Sequence, residues 1–225
     1  MPDRWTTKFL IRPLRRTDRQ AVRDICVETA WLGGPGRGHI PDPWIWAEFW
    51  TRYFTDRAPR HSWVVCDADD GHVAGYLMGT DDVRRFDRYA PFLLPGIILR
   101  TIRKRLISRS DTRAATLAML KSMIRGEMDI PPALVGNHPA TMHIDLLPEA
   151  RGRGYGAALY ELFLQRMMQL GVPGIHAQTL SVNEPITRFC RHAGFTLAAS
   201  KPIDAFKHVE SEPIEILTWT KSPAW

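Results

Sequence analysis

Cysteine is scarce in this 225-residue chain: Cys26, Cys66 and Cys190 are the three present, an odd number with no metal-ligand spacing. That excludes a disulfide framework and a cysteine-built metal site, and it reads as reduced thiols inside a cell. Long apolar runs are missing too. No stretch of 18 apolar residues exists, which argues against a membrane-spanning helix, and Met1-Pro2-Asp3-Arg4-Trp5 has no apolar leader core. The cytoplasm is therefore the expected compartment. No internal repeat or low-complexity tract is visible. What remains, 44% hydrophobic and 24% charged residues, is the composition of one globular domain, 1–225, large enough to bury a core.

Charge is unevenly spread. Between residues 82 and 137, eleven Arg and Lys face five Asp and Glu, which accounts for the whole net charge of +6. Such a segment can attract an anionic partner or present solvated helix faces.

Hydrophobic periodicity and turn residues divide the chain as follows. Strand Phe9–Pro13 leads into helix Thr17–Trp31, and the glycine-rich loop 33–38 leads to helix Pro43–Thr55. Strands Ser62–Asp67 and His72–Gly79 flank the hairpin signal Asp69-Asp70-Gly71. Helices Pro95–Ser108 and Asp111–Arg125, the second capped by Asp111, fill the basic segment. Then come strand Ala140–Leu147, helix Gly154–Leu170, strand Gly174–Leu180, a short helix after Asn183, and strands Phe195–Ser200 and Pro213–Trp219.

The chemistry concentrates between the strand at 140–147 and its helix. Arg151-Gly152-Arg153-Gly154-Tyr155-Gly156-Ala157 is a basic glycine turn opening a helix. Glycines let the backbone approach an anion, and the first helical N–H groups have no partner in the chain. The helix dipole and the two arginines add positive charge. The spacing Gly152-x-Gly154-x-x-Ala157 also fits a relaxed dinucleotide fingerprint, but the stretch 174–180 offers no acidic residue at the end of a second strand.

A second element lies downstream. Asn183 caps a short helix with Pro185 in its first turn and Gly194-Phe195 at its end. Arg151-x-x-Gly154-x-Gly156, a strand, then Asn183 and Gly194-Phe195 resembles the GCN5-related N-acetyltransferase (GNAT) family over roughly residues 138–200. More narrowly, His143-Ile144-Asp145-Leu146-Leu147-Pro148-Glu149 resembles bacterial proteins similar to the acetyltransferase-like domain of O-GlcNAcase. The resemblance implies an α/β (α+β) GNAT fold, a mixed, mostly antiparallel sheet flanked by helices. Residues 82–137 form a helical insertion on the acceptor side, either as a lid or as a packing or dimer surface.

The resemblance also implies acetyl-CoA as co-substrate, with no metal. Its pyrophosphate lies on the backbone of 152–157, and its pantetheine and thioester on the main chain of Leu146 and Leu147 and on Asn183. Many relatives carry a tyrosine proton donor seven residues after this asparagine; here the position is Cys190. A thiol can donate a proton, be acetylated itself, or fill a core position on the face shared with Ile186, Phe189 and Ala193. For the base, strand alternation puts His143 and Asp145 on one face, where together they can take a proton from an ammonium acceptor or form a paired structural network. Trp31, Trp44, Trp46 and Trp50 can line an acceptor pocket or anchor helices on the sheet.

Two function classes follow: acetyl transfer to a primary amine of a small molecule or protein, by direct transfer in a ternary complex, or a GNAT-fold module that binds CoA or a macromolecule without turnover. Neither nucleic acid nor membrane is the expected partner, and a homodimer is left open.

Overall fold

The computed structural model describes residues 8–36, 39, 40, 42–103, 114, 117–119, 121, 122, 124–207 and 213–222. Seven strands form one sheet: β1 (Phe9–Pro13), β2 (Trp63–Asp67), β3 (Val73–Thr80), β4 (Ala140–Leu146), β5 (Ile175–Leu180), β6 (Thr196–Ile203) and β7 (Ile214–Lys221). Their order is β1-β2-β3-β4-β5-β7-β6, and every neighbouring pair is antiparallel except β4 with β5. This is the mixed, mostly antiparallel sheet expected from the sequence.

Two helical layers cover it. On one face lie α6 (Tyr155–Gln169) and α7 (Glu184–His192), whose Leu159, Phe163, Met167 and Cys190 pack with Leu77, Ile175 and Trp219. The contact is close: a Cβ on Gly79 would stand inside the Phe163 ring, so only glycine fits that point of β3. On the other face lie α1 (Arg19–Thr29) and α2 (Pro43–Asp56), which bury Val22, Ile25, Cys26, Tyr53 and Phe54 against Val64, Tyr76 and Met78. Asp42 starts α2 by accepting from the N–H groups of Trp44 (2.9 Å) and Ile45 (3.2 Å), with Pro43 in the first turn. The first helix enters through a 3₁₀ turn at Arg16–Asp18 and stops at Thr29, short of the expected Trp31. Trp31 instead closes a tight turn with Gly34, and Leu32 takes the left-handed conformation (φ 50°).

The described part of the insertion is mostly helical, with a turn and loop at 125–131. It comprises α3 (Val83–Tyr89), a 3₁₀ stretch (Ala90–Leu93), α4 (Leu94–Arg103), helical residues between 114 and 124, and α5 (Pro132–Asn137). The sequence pattern contains neither α3 nor α5 as read above. The expected helix end at Ser108 and the cap at Asp111 lie outside the described residues. Arg100 of α4 pairs with Asp42 (3.1 Å), and the far end of the insertion reaches the β5-β7-β6 half of the sheet. There Gln178 donates to the carbonyl of Met128 (3.2 Å), Lys201 to that of Asp129 (2.8 Å), and Glu127 accepts from the Asp204 N–H (2.9 Å). Met119 and Met128 pack with Trp46, Leu180 and Ile216. The insertion thus crosses the α1–α2 face. No described helix is long and apolar enough to cross a membrane.

Candidate active site

The parallel pair β4–β5 is hydrogen-bonded only at its start, Ala140 with Ile175 and Thr141 with His176. Beyond that point the strands part while β4 stays paired with β3 to Leu146. In an antiparallel ladder alternate residues turn their main-chain groups to opposite sides. Leu147 donates its N–H to Ala74 (2.8 Å) and its carbonyl accepts from the Ala150 N–H (2.9 Å). The alternation therefore turns Met142, Ile144 and Leu146 toward the gap. Of the two expected leucines, Leu146 presents a main-chain N–H there, whereas the Leu147 N–H is committed to β3.

The strand runs through a 3₁₀ turn at Pro148–Ala150 into the glycine turn. Gly152 (φ 68°) and Gly154 (φ 84°) are left-handed, and a Cβ on either would meet nothing within 4 Å. These glycines are there for backbone conformation, and the turn opens outward. Gly154 precedes α6, and the N–H of Ala158 makes the bond to its carbonyl (3.0 Å), which leaves the N–H groups of Tyr155, Gly156 and Ala157 as the free helix terminus. Tyr155 turns its ring inward, edge-on to Phe9, and its hydroxyl donates to the Phe9 carbonyl (3.2 Å). Gly156 packs under Ile144, Leu146 and Phe189. The turn has the shape and polarity an anionic pyrophosphate requires.

The two arginines differ. Arg153 is exposed. Arg151 donates from Nε to the carbonyl of Leu146 (2.7 Å) and from Nη2 to that of Gly33 (2.5 Å), which turns its guanidinium toward the α1–α2 loop.

His143 and Asp145 come together as expected, with Nε2 of the histidine 3.3 Å from Oδ2 of the aspartate. A partner that the sequence did not reveal completes the cluster. Tyr76 stands directly opposite Asp145 on β3, and its hydroxyl donates to the same Oδ2 at 2.6 Å. The Tyr76 ring stands edge-on to His143, and the Trp50 ring also lies beside the imidazole (ring centres 6.3 Å apart). Burial raises the Asp145 carboxyl above the ordinary carboxylate range; His143, the hydroxyls of Tyr76 and Thr29, and the charge of Arg151 pull it back only in part. The Asp145 side chain keeps 18% of its surface exposed, so the group is desolvated yet reachable. Burial, then the charge of Asp145 and the thiol Cys26, lift Tyr76 well above an ordinary phenol, so it remains a donor at neutral pH.

Asn183 caps α7 as its sequence position implies, its Oδ1 accepting from the Ile186 N–H (3.4 Å). Cys190 stands apart from His143 and Asp145. It is 1% exposed in the core between α6, α7 and the opposite sheet face, and burial pushes its thiol up to about 11. The four tryptophans separate as well: Trp31 is core, stacked on His39, Trp46 and Trp50 touch each other beside His143, and Trp44 lies under Arg100 of the insertion. Among the described residues no group of three His, Cys, Asp or Glu side chains is placed to hold a metal.

Known proteins share this fold. Residues 119–195 match the acetyltransferase (GNAT) family. The solved structure of SsHAT is 31% identical over 97% of this chain and 100% of that one, with a TM-score of 0.72. A GCN5-related N-acetyltransferase from Kribbella flavida is 18% identical over 96% of this chain and 98% of that one, with a TM-score of 0.58. YncA from Salmonella typhimurium, solved with its cofactor acetyl-CoA, is 13% identical over 96% and 94%, with a TM-score of 0.52. At such identities the last two show the fold.

Proposed function

The chain belongs to the GNAT acetyltransferase family and is an acyl-CoA N-acyltransferase; on that premise we propose that it moves the acetyl group of acetyl-CoA directly to a primary amine, in a ternary complex in the cytoplasm. The observation that carries the reading is the placement of Asp145 on β4 one residue before Leu146, whose N–H faces the gap between β4 and β5. In this reading one strand carries both the base, Asp145, and the oxyanion donor, the Leu146 N–H.

In this reading the N–H groups of residues 152–157 hold the pyrophosphate, Arg153 adds charge, and the carboxamide nitrogen of Asn183 faces the pantetheine arm. Asp145, beside His143, accepts the proton of the ammonium acceptor. The neutral amine attacks the thioester carbon, and the oxygen's developing charge meets the Leu146 N–H, a fixed dipole at the strand edge. The C–S bond then breaks, the proton that the attacking nitrogen still carries passes to the departing sulfur directly or through solvent, and the products are the neutral amide and CoA thiol. Cys190, buried across the sheet, is not assigned the acid role. The acceptor is a small-molecule or protein amine entering beneath the insertion. Kinship with the acetyltransferase-like domain of O-GlcNAcase is the finer reading of His143–Glu149.

Calorimetry with acetyl-CoA and thiol release over an amine panel test this. Saturable binding with release that follows sequential two-substrate kinetics is expected. A ping-pong pattern with an acetylated protein would overturn direct transfer, and binding without release for any amine would leave a CoA-binding module without turnover.

A further inference from the structure

Tyr76 is fully buried in the middle of the sheet, and its one polar atom is spent on Asp145, 69 positions away in the chain. A core tyrosine normally satisfies its hydroxyl with a carbonyl or a structural hydroxyl. Here it meets a carboxylate in the candidate site, at the short distance of a charge-assisted bond. The backbone enforces the meeting: Tyr76 and Asp145 are a hydrogen-bonded pair of the β3–β4 ladder, so their side chains leave the same face side by side. α1 closes the cluster from above, with Thr29 facing the carboxylate and Cys26 facing the phenol. The groups around Asp145 are thus His143 on its own strand, Tyr76 on β3, Thr29 and Cys26 on α1, and Arg151 on the turn.

We propose that Tyr76 is a positioning residue of the transfer reaction, fixing the Asp145 carboxylate in the rotamer that meets the incoming amine and sharing its charge. The inference rests on Asp145 being the base. His143 offers Oδ2 one contact at 3.3 Å; the phenol supplies a second and shorter one at 2.6 Å on the same oxygen and pins it in place. It also holds the ionised form against the desolvation that α1 and the sheet impose.

The test replaces Tyr76 by Phe, which removes one oxygen from the core and keeps the ring against Met78 and His143. The titration of Asp145 is followed by carbon NMR on the intact protein, with D145N assigning the signal. Loss of the hydroxyl is expected to move the titration upward by about one pH unit. The acidic limb of thiol release from acetyl-CoA should follow, measured with agmatine, 2-phenylethylamine and a lysine peptide as probe acceptors. Acetyl-CoA affinity should stay within about threefold. An Asp145 titration that Y76F leaves in place overturns the proposal, whatever the rates. A shifted titration with unaltered turnover overturns the catalytic part of it. If D145N itself turns over like the parent protein, it is the assignment of Asp145 as base that fails.

Discussion

The guanidinium of Arg151 bridges two carbonyls from different parts of the chain, that of Leu146 at the end of β4 (2.7 Å) and that of Gly33 between α1 and α2 (2.5 Å). A residue that charge alone assigns to the phosphate site thus ties the splayed strand to the turn that carries Trp31. The two functions make different predictions. Arg151→Lys keeps the charge but cannot span both carbonyls, because a point donor replaces a rigid fork. Hydrogen exchange at Trp31–Gly34 should quicken, thermal stability should fall by about 1 kcal/mol, and the acetyl-CoA dissociation constant should stay within about threefold. Unchanged exchange protection at the turn would show that the bridge carries no weight.

The glycine turn predicts a separation of backbone from charge. Gly154 is left-handed and has open space where a Cβ would go, so Asn and Asp, the side chains that best tolerate this conformation, should both leave the fold intact. Gly154→Asn should weaken acetyl-CoA only moderately. Gly154→Asp places an anion at the helix N-terminus where the pyrophosphate is expected, and should weaken it on the order of a hundredfold. Calorimetry on the pair decides the matter, because equal affinities for Asn and Asp variants would remove the anion from this turn.

Cys190 predicts an absence of effect on rate. Its thiol is 1% exposed and raised to about 11 by burial alone, so it is protonated at neutral pH, and it is packed in the α6–α7 core rather than with His143 and Asp145. Cys190→Ala should leave turnover within about twofold while lowering stability by about 1–2 kcal/mol through the small cavity it opens. Cys190→Ser buries a hydroxyl without a partner and should cost more stability than the alanine. A variant with turnover reduced by an order of magnitude at unchanged acetyl-CoA affinity would return the thiol to the chemistry.

These contrasts mark what the sequence carried. Local signals were legible, since alternation gave the faces of β4, and the glycine turn and Asn183 cap gave the starts of α6 and α7. Pairing across the sheet was not. Gly75-Tyr76-Leu77 reads as buried strand, and nothing local says that its hydroxyl meets Asp145 rather than a carbonyl. The same holds for Leu146 and Leu147, where only the register with Ala74 decides which N–H is free. Arg151 shows the limit for long side chains: its charge was readable, but its direction depends on Gly33, 118 positions away. The α3 and α5 helices escaped because they are short, seven and six residues, too few turns for a helical period to show, and the Phe86 ring of α3 packs on Phe49, Trp50, Tyr53 and Phe54 of α2, a contact that no local pattern announces.

Asp145 predicts opposite changes in rate and stability. Its folded-state carboxyl is raised above the unfolded value, so its ionisation opposes folding: the favourable contribution is complete at low pH and is lost as pH rises through the folded value. Asp145→Asn removes that charge while keeping an oxygen to accept from Tyr76 and a shape that fits beside His143. The variant should therefore melt at the same temperature as the parent protein or higher near neutral pH, and the difference should shrink as the solution is acidified. Turnover should fall by about 10²–10⁴-fold with little change in acetyl-CoA affinity, because a proton acceptor has been lost and no cofactor contact has. In the parent protein the rate should rise with pH through the raised Asp145 ionisation, a limb that the amide must abolish. A variant that keeps this limb, or that loses stability in step with activity, would assign Asp145 to the framework and require another base, and His143 is the next group in the cluster able to serve.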